Sequence, residues 1–251
     1  MIHLNNIHVT FAKNTAMQNH VLRGLNLHIR EHEFITVIGG NGAGKSTLMN
    51  ILSGDILPNN GSITIQEKDV TNHRVEQRAT WVSRVFQDPL MGSCAELTIE
   101  ENLLLANKRG QCRTLHLAKK PQLRQLLQER LATLGIGLEN RLTTPIGALS
   151  GGQRQAVSLL MATLQPCKIL LLDEHTAALD PKMAATILEL THQLVRENRL
   201  TTLMITHSMQ HALKYGDRTI VMRHGTIVND VNGEARRKLQ PIDLHAYFED
   251  E

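Results

Sequence analysis

The sequence predicts an α/β domain in which a mainly parallel sheet carries helices on both faces and a helical lobe is inserted. Three observations support this fold. Short, unbroken apolar runs at residues 34–38 and 169–172 are typical of buried parallel strands. A glycine cluster and a helical pattern follow the first run, as in a strand–loop–helix unit. Between about residues 90 and 144, helical periodicity replaces the strand pattern.

The other elements follow from local hydrophobic patterns, taken in chain order. Alternating apolar residues predict strands at 2–11, 25–29, 62–65, 81–86, 201–206, 219–222 and 227–228. Helical spacing predicts helices at 97–106, 123–134, 156–164 and 183–194, with Thr98 as an N-cap and Gly135 as a C-terminal glycine. We expect one domain over 1–251, with a core of about 1–88 and 160–230, a lobe of about 89–159 and a short polar tail at 231–251.

The composition is that of an ordinary globular protein and argues against several functions. At 251 residues, the chain is long enough to bury a full core. A net charge of +3 with 3% aromatic residues does not fit a nucleic-acid groove with stacking platforms. Cys94, Cys112 and Cys167 fit neither a disulfide framework nor a Cys-x-x-Cys metal site, so we expect reduced cytosolic thiols. No apolar run approaches the length of about 18 residues that spans a membrane, so any membrane role must come from a partner.

The loop after the first apolar run has the P-loop spacing Gly39-x-x-x-x-Gly44-Lys45-Ser46. Glycines let backbone N–H groups curl around phosphate oxygens, and the helix N-terminus adds unpaired donors. Lys45 supplies a cation for the β- and γ-phosphates, and the Ser46 hydroxyl can ligate Mg²⁺. A merely flexible glycine-rich turn would not explain a Lys-Ser-Thr sequence at the helix start. The predicted nucleotide-binding residues are Gly39, Gly40, Asn41, Gly42, Ala43, Gly44, Lys45, Ser46 and Thr47.

A second motif, Leu149-Ser150-Gly151-Gly152-Gln153, narrows the choice among phosphate-binding proteins. A P-loop alone is compatible with kinases, GTPases, helicases and transport ATPases. A Ser-Gly-Gly sequence at a helix N-terminus is a second anion-binding device, with exposed N–H groups and a hydroxyl donor. An N-capped helix after a loop would explain Ser150 alone, but it would not explain two phosphate-binding devices in one chain.

These motifs resemble those of the ATP-binding subunits of ABC transporters, and the resemblance covers essentially the whole chain. It implies a P-loop NTPase core with an added antiparallel β subdomain and an inserted helical lobe. In that family, two subunits form a head-to-tail dimer with two ATP molecules at the interface. The resemblance therefore implies that each chain caps the ATP held by its partner's P-loop with Ser150, Gly151, Gly152 and Gln153.

Two acids, Asp173 and Glu174, end the second apolar run, where the family has its Walker B motif. An acid at the C-terminal end of a parallel strand faces the ligand crevice. We expect Asp173 to hold Mg²⁺ through water, and Glu174 to orient or deprotonate the attacking water. Without a P-loop in the same chain, two adjacent acids at a strand end are more often a solvated edge.

The resemblance assigns four further residues. Gln87 matches the Q-loop, which would contact Mg²⁺ or the lytic water, and His207 matches the switch histidine, a γ-phosphate sensor. Asp180 matches the D-loop aspartate, which would bridge to the other protomer. Phe11 stands where the family places an aromatic ring that stacks on adenine, but a core residue that ends the first strand is nearly as compatible. The implied catalytic set is Glu174, His207, Gln87 and Lys45.

The sequence departs from the family pattern at three places. His175 stands where most members have proline, and a second titrating group beside Glu174 could alter the pH profile. Gly40 replaces the common serine or proline of the P-loop. No glutamate precedes Leu149 in residues 144–148, although fused exporters usually carry one there, and this favours an importer.

Together, these features predict an ATPase subunit that binds ATP and Mg²⁺ and powers solute import through separate membrane subunits. The expected partners are a second copy or a like subunit, integral membrane permease subunits and a solute-binding protein, and no nucleic acid. The chain would lie at the cytoplasmic face of the cell membrane, with residues 90–97 near the groove that grips the permease. Residues 173–180 resemble importer ATPases of poorly defined specificity, some of them linked to amino-acid-like solutes.

Two alternatives stay open at this point. A soluble ABC-type ATPase of DNA repair or translation would share the motifs, but such relatives carry long coiled-coil insertions or tandem cassettes that this sequence does not show. A P-loop kinase would leave residues 149–153 unexplained. Nucleic-acid-stimulated hydrolysis would support the first alternative, and phosphate transfer to a small acceptor would support the second.

Overall fold

A computed structural model describes residues 1–111 and 121–245 of the chain. The strands in this part are β1 Ile2–Phe11, β2 Asn19–Ile29, β3 Phe34–Ile38, β4 Asn60–Ile65, β5 Lys68–Asp69, β6 Val82–Val85, β7 Ile169–Asp173, β8 Thr202–Ile205, β9 Arg218–Arg223 and β10 Thr226–Asn232. The α-helices are α1 Lys45–Ser53, α2 Val75–Arg78, α3 Ile99–Ala106, α4 Pro121–Ala132, α5 Gly151–Thr163, α6 Pro181–Glu197, α7 Met209–Tyr215, α8 Gly233–Lys238 and α9 Pro241–His245. Cys94 and Cys167 are free thiols, and Cys112 lies outside the described residues.

The larger sheet has six strands in the order β10-β9-β3-β8-β7-β6. Strands β9, β3, β8, β7 and β6 run parallel, and β10 pairs antiparallel with β9 at the edge. The predicted parallel sheet is therefore confirmed. Its central strands are buried on both faces, which explains why residues 169–172 form an unbroken apolar run.

Each face of this sheet packs into its own hydrophobic core. On β7, Leu171 belongs to the core shared with α1 and the N-terminal strands, whereas Leu170 and Leu172 belong to the core shared with α5, α6 and the lobe. The same alternation places Leu203 and Met204 of β8 on opposite faces. Helices therefore cover both faces, as the sequence predicts.

The smaller sheet is antiparallel, with the order β2-β1-β4-β5, and it confirms the β subdomain. It packs against α1 and approaches the phosphate-binding loop at Gly44. A Cβ atom at Gly44 would lie 2.9 Å from Cδ2 of Leu22 and 3.3 Å from the carbonyl oxygen of Val21, and the φ of 97° disfavours any side chain. Packing therefore requires a glycine at this position, independently of its predicted role in phosphate binding.

Helices α3 and α4 form the lobe that precedes α5. Thr98 caps α3 as predicted, because its hydroxyl accepts the Glu101 N–H at 3.2 Å and the Glu101 carboxylate accepts the Thr98 N–H at 2.9 Å. Helix α5 packs against α3 and α4 of the lobe and also against α6 and β6 of the core. It thus crosses the predicted boundary between 159 and 160, and the domain boundaries stay a prediction.

Helices α8 and α9 pack onto the core, although the sequence predicts a short polar tail at 231–251. The guanidinium group of Arg236 is buried and donates hydrogen bonds to the Thr219 hydroxyl at 3.0 Å and the Ala212 carbonyl at 2.7 Å. Leu244 of α9 is fully buried. Arg236 therefore links α8 to β9 and α7 through hydrogen bonds. The basic run in which it lies would by itself suggest a solvent-exposed patch.

Candidate active site

The predicted catalytic residues meet at one edge of the larger sheet. Parallel strands β3, β6, β7 and β8 all end at this edge, and ligands bind in the crevice beyond such strand ends. The P-loop follows β3, and Gln87 lies two residues beyond β6. Asp173 ends β7 with Glu174 directly after it, and His207 lies two residues beyond β8. Residues that are far apart in the sequence are thereby brought together.

The P-loop holds Lys45 at the start of α1. The Nζ atom of Lys45 donates hydrogen bonds to the carbonyl oxygens of Gly39 at 2.7 Å and Gly40 at 2.9 Å, and its side chain is buried. Ser46 and Thr47 follow in the first turn of α1, and Ser46 is exposed. The remaining predicted residues, Asn41, Gly42, Ala43 and Gly44, complete the loop between β3 and α1. An ammonium group held in this way can exchange carbonyl oxygens for phosphate oxygens.

Asp173 is held by an ion pair that the sequence analysis missed. Its Oδ2 atom lies 2.6 Å from Nη2 of Arg84 on β6, and the two side chains are only 14% and 11% exposed. The other guanidinium nitrogen, Nη1, donates to Oδ1 of Asn50 on α1 at 2.7 Å. The sequence shows an arginine inside the strand pattern 81–86, but it does not show which residue this arginine contacts.

Glu174 and His207 contact each other directly. Oε1 of Glu174 lies 2.6 Å from Nε2 of His207, and the side chains are 15% and 51% exposed. Glu174 has a φ of 45°, in the left-handed region, which destabilises a residue other than glycine by on the order of 1–3 kcal/mol. A cavity of about 190 Å³ beside this pair, lined also by Thr206 and His211, has room for an ordered water.

His175 is not a second titrating group at neutral pH, contrary to the expectation from the sequence. Its ring is buried, and Nε2 lies 3.0 Å from the Thr191 hydroxyl oxygen on α6. That hydroxyl donates to the Ile187 carbonyl at 2.7 Å, so Nε2 of His175 carries the proton and donates to Thr191. Burial lowers the pKa of His175 from the usual value near 6.5 to about 4. The neutral ring links the end of β7 to α6.

The glycine-rich motif and Asp180 form a second group, at the N-termini of α5 and α6. The Ser150 hydroxyl accepts the Gln153 N–H at 3.3 Å, while the Gln153 side chain accepts the Ser150 N–H at 3.2 Å. Asp180 caps α6 by accepting the Met183 N–H at 3.0 Å. A Cβ atom at Gly152 would lie 2.1 Å from Cγ of Met183. The N-termini of α5 and α6 can pack against each other at this distance because residue 152 has no side chain.

Several predicted site residues lie at exposed positions, and four of them are Phe11, Gln87, Ser150 and Asp180. Phe11 ends β1 and is 40% exposed, which favours a ligand-facing role over that of a core residue. Gln87 is exposed in the loop between β6 and the lobe. Ser150 and Asp180 are exposed as well, as residues that contact a partner subunit need to be. All four are accessible from outside the chain.

Comparison with known proteins agrees with this arrangement. Residues 22–177 match the model of the family described as ABC transporter. The chain is 41% identical over 249 residues to a tyrosine transport ATP-binding protein from Clostridioides difficile (strain R20291), with 99% of each chain covered. It is 34% identical over 216 residues to the thiamine import ATP-binding protein ThiQ from Photorhabdus laumondii subsp. laumondii, with 86% of this chain and 87% of the relative covered.

The fold is also similar to that of a solved ATP-binding cassette, a dimer in a post-hydrolysis state bound to ADP and Pi. The TM-score is 0.78 at 29% identity, with 92% of this chain and 98% of that chain covered. These matches favour transport over the alternatives of DNA repair, translation or a kinase. The positions of the residues at the sheet edge and at the N-terminus of α5 are consistent with these matches. The chain therefore belongs to the ABC transporter family as an ATP-binding, ATP-hydrolysing subunit.

Proposed function

We propose that two copies of this chain close around two molecules of Mg²⁺-ATP, and that hydrolysis reopens the pair to drive solute import through separate permease subunits. The contact between Glu174 and His207 carries this proposal, because it sets a base and a phosphate sensor side by side at the P-loop edge. The exposed Ser150 lies on another element, at the end of α5, where it would cap the partner's ATP.

Each P-loop would bind the triphosphate through backbone N–H groups and Lys45. The first N–H groups of α1 have no partner within the helix, and the helix dipole favours an anion at this end. Lys45 would leave the carbonyl oxygens of Gly39 and Gly40 and pair with the β- and γ-phosphates. Phe11, at the exposed end of β1, would stack on the adenine.

The residues at the sheet edge fit Mg²⁺, which neutralises phosphate charge when it is bound. Ser46, Asp173 and Gln87 offer hydroxyl, carboxylate and amide oxygens, the hard donors that Mg²⁺ prefers. In residues 1–111 and 121–245, no group of three or more His, Cys, Asp or Glu side chains could hold a metal by itself. A site of one carboxylate completed by phosphate oxygens and water is usual for Mg²⁺.

Glu174 would act as the base and His207 as the sensor of the γ-phosphate. The Glu174 carboxylate orients the attacking water and accepts its proton as the new P–O bond forms. His207 donates a hydrogen bond to the γ-phosphate. Hydrolysis separates this phosphate from ADP, so the group shared between the two subunits is lost and the closed state is no longer favoured.

Glu174→Gln tests this proposal, because the amide keeps the shape of the side chain but cannot accept the proton. We expect phosphate release to fall by roughly 10²–10⁴-fold, and a dimer to accumulate in Mg²⁺-ATP, measured by light scattering after gel filtration. Lys45→Ala is the control, since it should neither bind ATP nor dimerise. A Glu174→Gln variant that stays monomeric at saturating Mg²⁺-ATP would contradict the proposal.

We infer that the permease docks in the cavity between the lobe and the core, here called the inter-lobe cavity. It has a volume of about 510 Å³, and its lining includes Phe86, Met91 and Leu105. Met91 and Leu105 are exposed apolar side chains, and the predicted permease segment 90–97 supplies part of the wall.

None of the described helices combines a membrane-spanning length with the apolar composition of a bilayer segment. Attachment to the cytoplasmic face of the membrane would therefore come from the permease.

We propose that the cargo is an amino-acid-like solute, delivered by a solute-binding protein. The relative that transports tyrosine matches almost the whole chain, which makes aromatic amino acids the first solutes to test. The experiment is to purify the complex from detergent extracts, rebuild it in vesicles and compare ATP-dependent uptake of tyrosine with that of thiamine. Uptake of thiamine without tyrosine would reject the amino-acid assignment and leave the ATPase assignment intact.

A further inference from the structure

We propose that Arg84 is a positioning residue for the Mg²⁺ site, which holds the Asp173 carboxylate and ties it to the P-loop helix α1. This inference rests on the proposed Mg²⁺-ATP site. It adds a residue that belongs to none of the sequence motifs described above. Arg84 is not a metal ligand here, since a guanidinium group donates hydrogen bonds and accepts none.

The strand register brings Arg84 and Asp173 together. Arg84 pairs with Leu171 across the parallel β6–β7 ladder, and Asp173 follows two residues later on β7. Side chains two residues apart on a strand point to the same face, and Leu171 lies on the face that α1 covers. The distance of 2.6 Å between Nη2 and Oδ2 is that of a strong charge-assisted hydrogen bond.

The same guanidinium group also contacts the C-terminal part of the P-loop helix α1. Nη1 of Arg84 donates to Oδ1 of Asn50, within α1, at 2.7 Å and to Oδ2 of Asp55, just beyond α1, at 2.9 Å. The ring of Phe86 lies against the group, with its centroid 4.7 Å from the guanidinium carbon. The planar guanidinium group of arginine can donate hydrogen bonds to these separate acceptors at once, whereas the ammonium group of lysine has a single nitrogen atom and cannot.

This arrangement fixes the orientation of the metal ligand. Because Oδ2 of Asp173 is engaged by Arg84, the carboxylate has its other oxygen, Oδ1, left for the metal or its water. Both side chains are largely buried, so solvent does not compete strongly for the pair. Partners of this kind orient metal-binding carboxylates, and their loss typically weakens metal affinity by about 10–100-fold.

The test is Mn²⁺ binding, followed by electron paramagnetic resonance, to protein loaded with a non-hydrolysable ATP analogue. We expect Arg84→Met to weaken Mn²⁺ binding by at least about tenfold, and Arg84→Lys to fall between that variant and the wild type. Asn50→Ala keeps Arg84 but removes its tether to α1, and we expect a smaller weakening. In an Asp173→Asn background, Arg84→Met should have less than about a twofold further effect, because it acts through Asp173.

Arg109→Met is the matched control. Arg109 also lines the inter-lobe cavity, but its guanidinium group donates to the carbonyl oxygens of Ala162 and Gln165 and not to Asp173. We expect it to leave Mn²⁺ affinity unchanged. If Arg84→Met does not fold, Arg84→Lys and Asn50→Ala still decide the question.

Two outcomes would overturn the inference, and they can be told apart. If the wild type binds Mn²⁺ with the analogue but the variants at Arg84 and Asn50 bind it equally well, only the role of Arg84 is wrong. If the wild-type protein binds no Mn²⁺ with the analogue, the proposed metal site itself is wrong. Equal weakening by Arg84→Met in the wild-type and Asp173→Asn backgrounds would also reject the role, because the effect would then bypass Asp173.

Discussion

Glu174 and His175 are neighbours in the sequence but lie in opposite surroundings. Glu174 faces the crevice and contacts His207, whereas the His175 ring is buried against Thr191 on α6. The left-handed backbone at Glu174 turns the chain between them as it leaves β7. This one backbone conformation thus separates the proposed catalytic base from a residue that links the end of β7 to α6.

The buried His175 predicts a pH dependence of stability. Burial lowers its pKa in the folded chain to about 4, below the value near 6.5 expected after unfolding. Between these two pH values, the unfolded chain binds a proton that the folded chain does not, so the stability from the neutral ring is present above pH 6.5 and is lost as the pH falls towards 4. We expect His175→Gln to lose stability less steeply over this range, by up to about 1.4 kcal/mol per pH unit.

Urea denaturation at a series of pH values between about 4 and 7 measures this difference. The control is His224→Gln, which removes an exposed imidazole from the turn between β9 and β10. Parallel stability curves for the wild type and His175→Gln would contradict the prediction. Because a glutamine side chain can still donate a hydrogen bond to Thr191, the comparison separates the effect of protonating His175 from the effect of losing its hydrogen bond.

Among the elements, α5 and α6 depend on each other at their N-termini. Ser150 caps α5 and Asp180 caps α6, and the two ends meet where Gly152 faces Met183. A small residue at this contact sets the position of the whole glycine-rich motif relative to the D-loop. Since both caps are exposed, a shift of either helix would alter the surface that a partner subunit meets.

Gly152→Ala should disturb this contact. The new Cβ atom would lie 2.1 Å from Cγ of Met183, so the methionine or the helix must move. We expect a loss of stability of about 1–3 kcal/mol from overpacking, together with weaker ATP-dependent dimerisation. Thermal unfolding measures the first effect and light scattering with Mg²⁺-ATP the second.

Gly151→Ala is the matched control for the Gly152 variant. Its Cβ atom would lie 3.5 Å from Cδ2 of Leu179, an ordinary contact, so stability should be unchanged or slightly higher. Adding Met183→Ala to Gly152→Ala should restore much of the lost stability. If Gly151→Ala and Gly152→Ala behave alike, the close contact with Met183 is not what requires a glycine.

For the whole molecule, the predicted site residues form two groups on different elements. One group lies at the end of the parallel sheet, and the other lies at helix ends beside the lobe. In the function that we propose, the P-loop binds a γ-phosphate that has no cap from its own chain, and the exposed Ser150 caps a phosphate held by another chain. Two copies in a head-to-tail arrangement would satisfy both, as we propose.

This arrangement predicts a melting temperature that depends on protein concentration only when nucleotide is present. A ligand or subunit that binds the folded state stabilises it by mass action. For Glu174→Gln in Mg²⁺-ATP, we expect the melting temperature to rise from low to high micromolar protein. Without nucleotide it should stay constant. A melting temperature in Mg²⁺-ATP that is independent of protein concentration would argue against the dimer.

The fold could be predicted well where hydrophobic patterns are strong. The strands of the larger sheet are buried on both faces, so runs such as 169–172 stand out from the sequence. The strand β5 and the helix α2 are too short to show a period, and the sequence does not reveal them. The packing of Arg236 and Leu244 also escaped prediction, because it depends on contacts with distant elements.

The parts of the candidate site that consist of contiguous sequence motifs could be predicted. The loop 39–47 and residues 149–153 are contiguous, so their spacing is visible in the sequence. Arg84 is separated from Asp173 by 89 positions, and only the register of β6 on β7 brings them together. His175 shows the same limit, since its burial against α6 decides its chemistry.

At position 174, selection for stability and selection for ATPase activity would favour different residues. Glycine adopts a positive φ without the steric cost that a side chain imposes, so Glu174→Gly would relax this turn while removing the proposed base. A laboratory screen for heat tolerance alone would therefore favour inactive subunits. Directed evolution of a more robust transporter must score turnover in the same round as survival on heating.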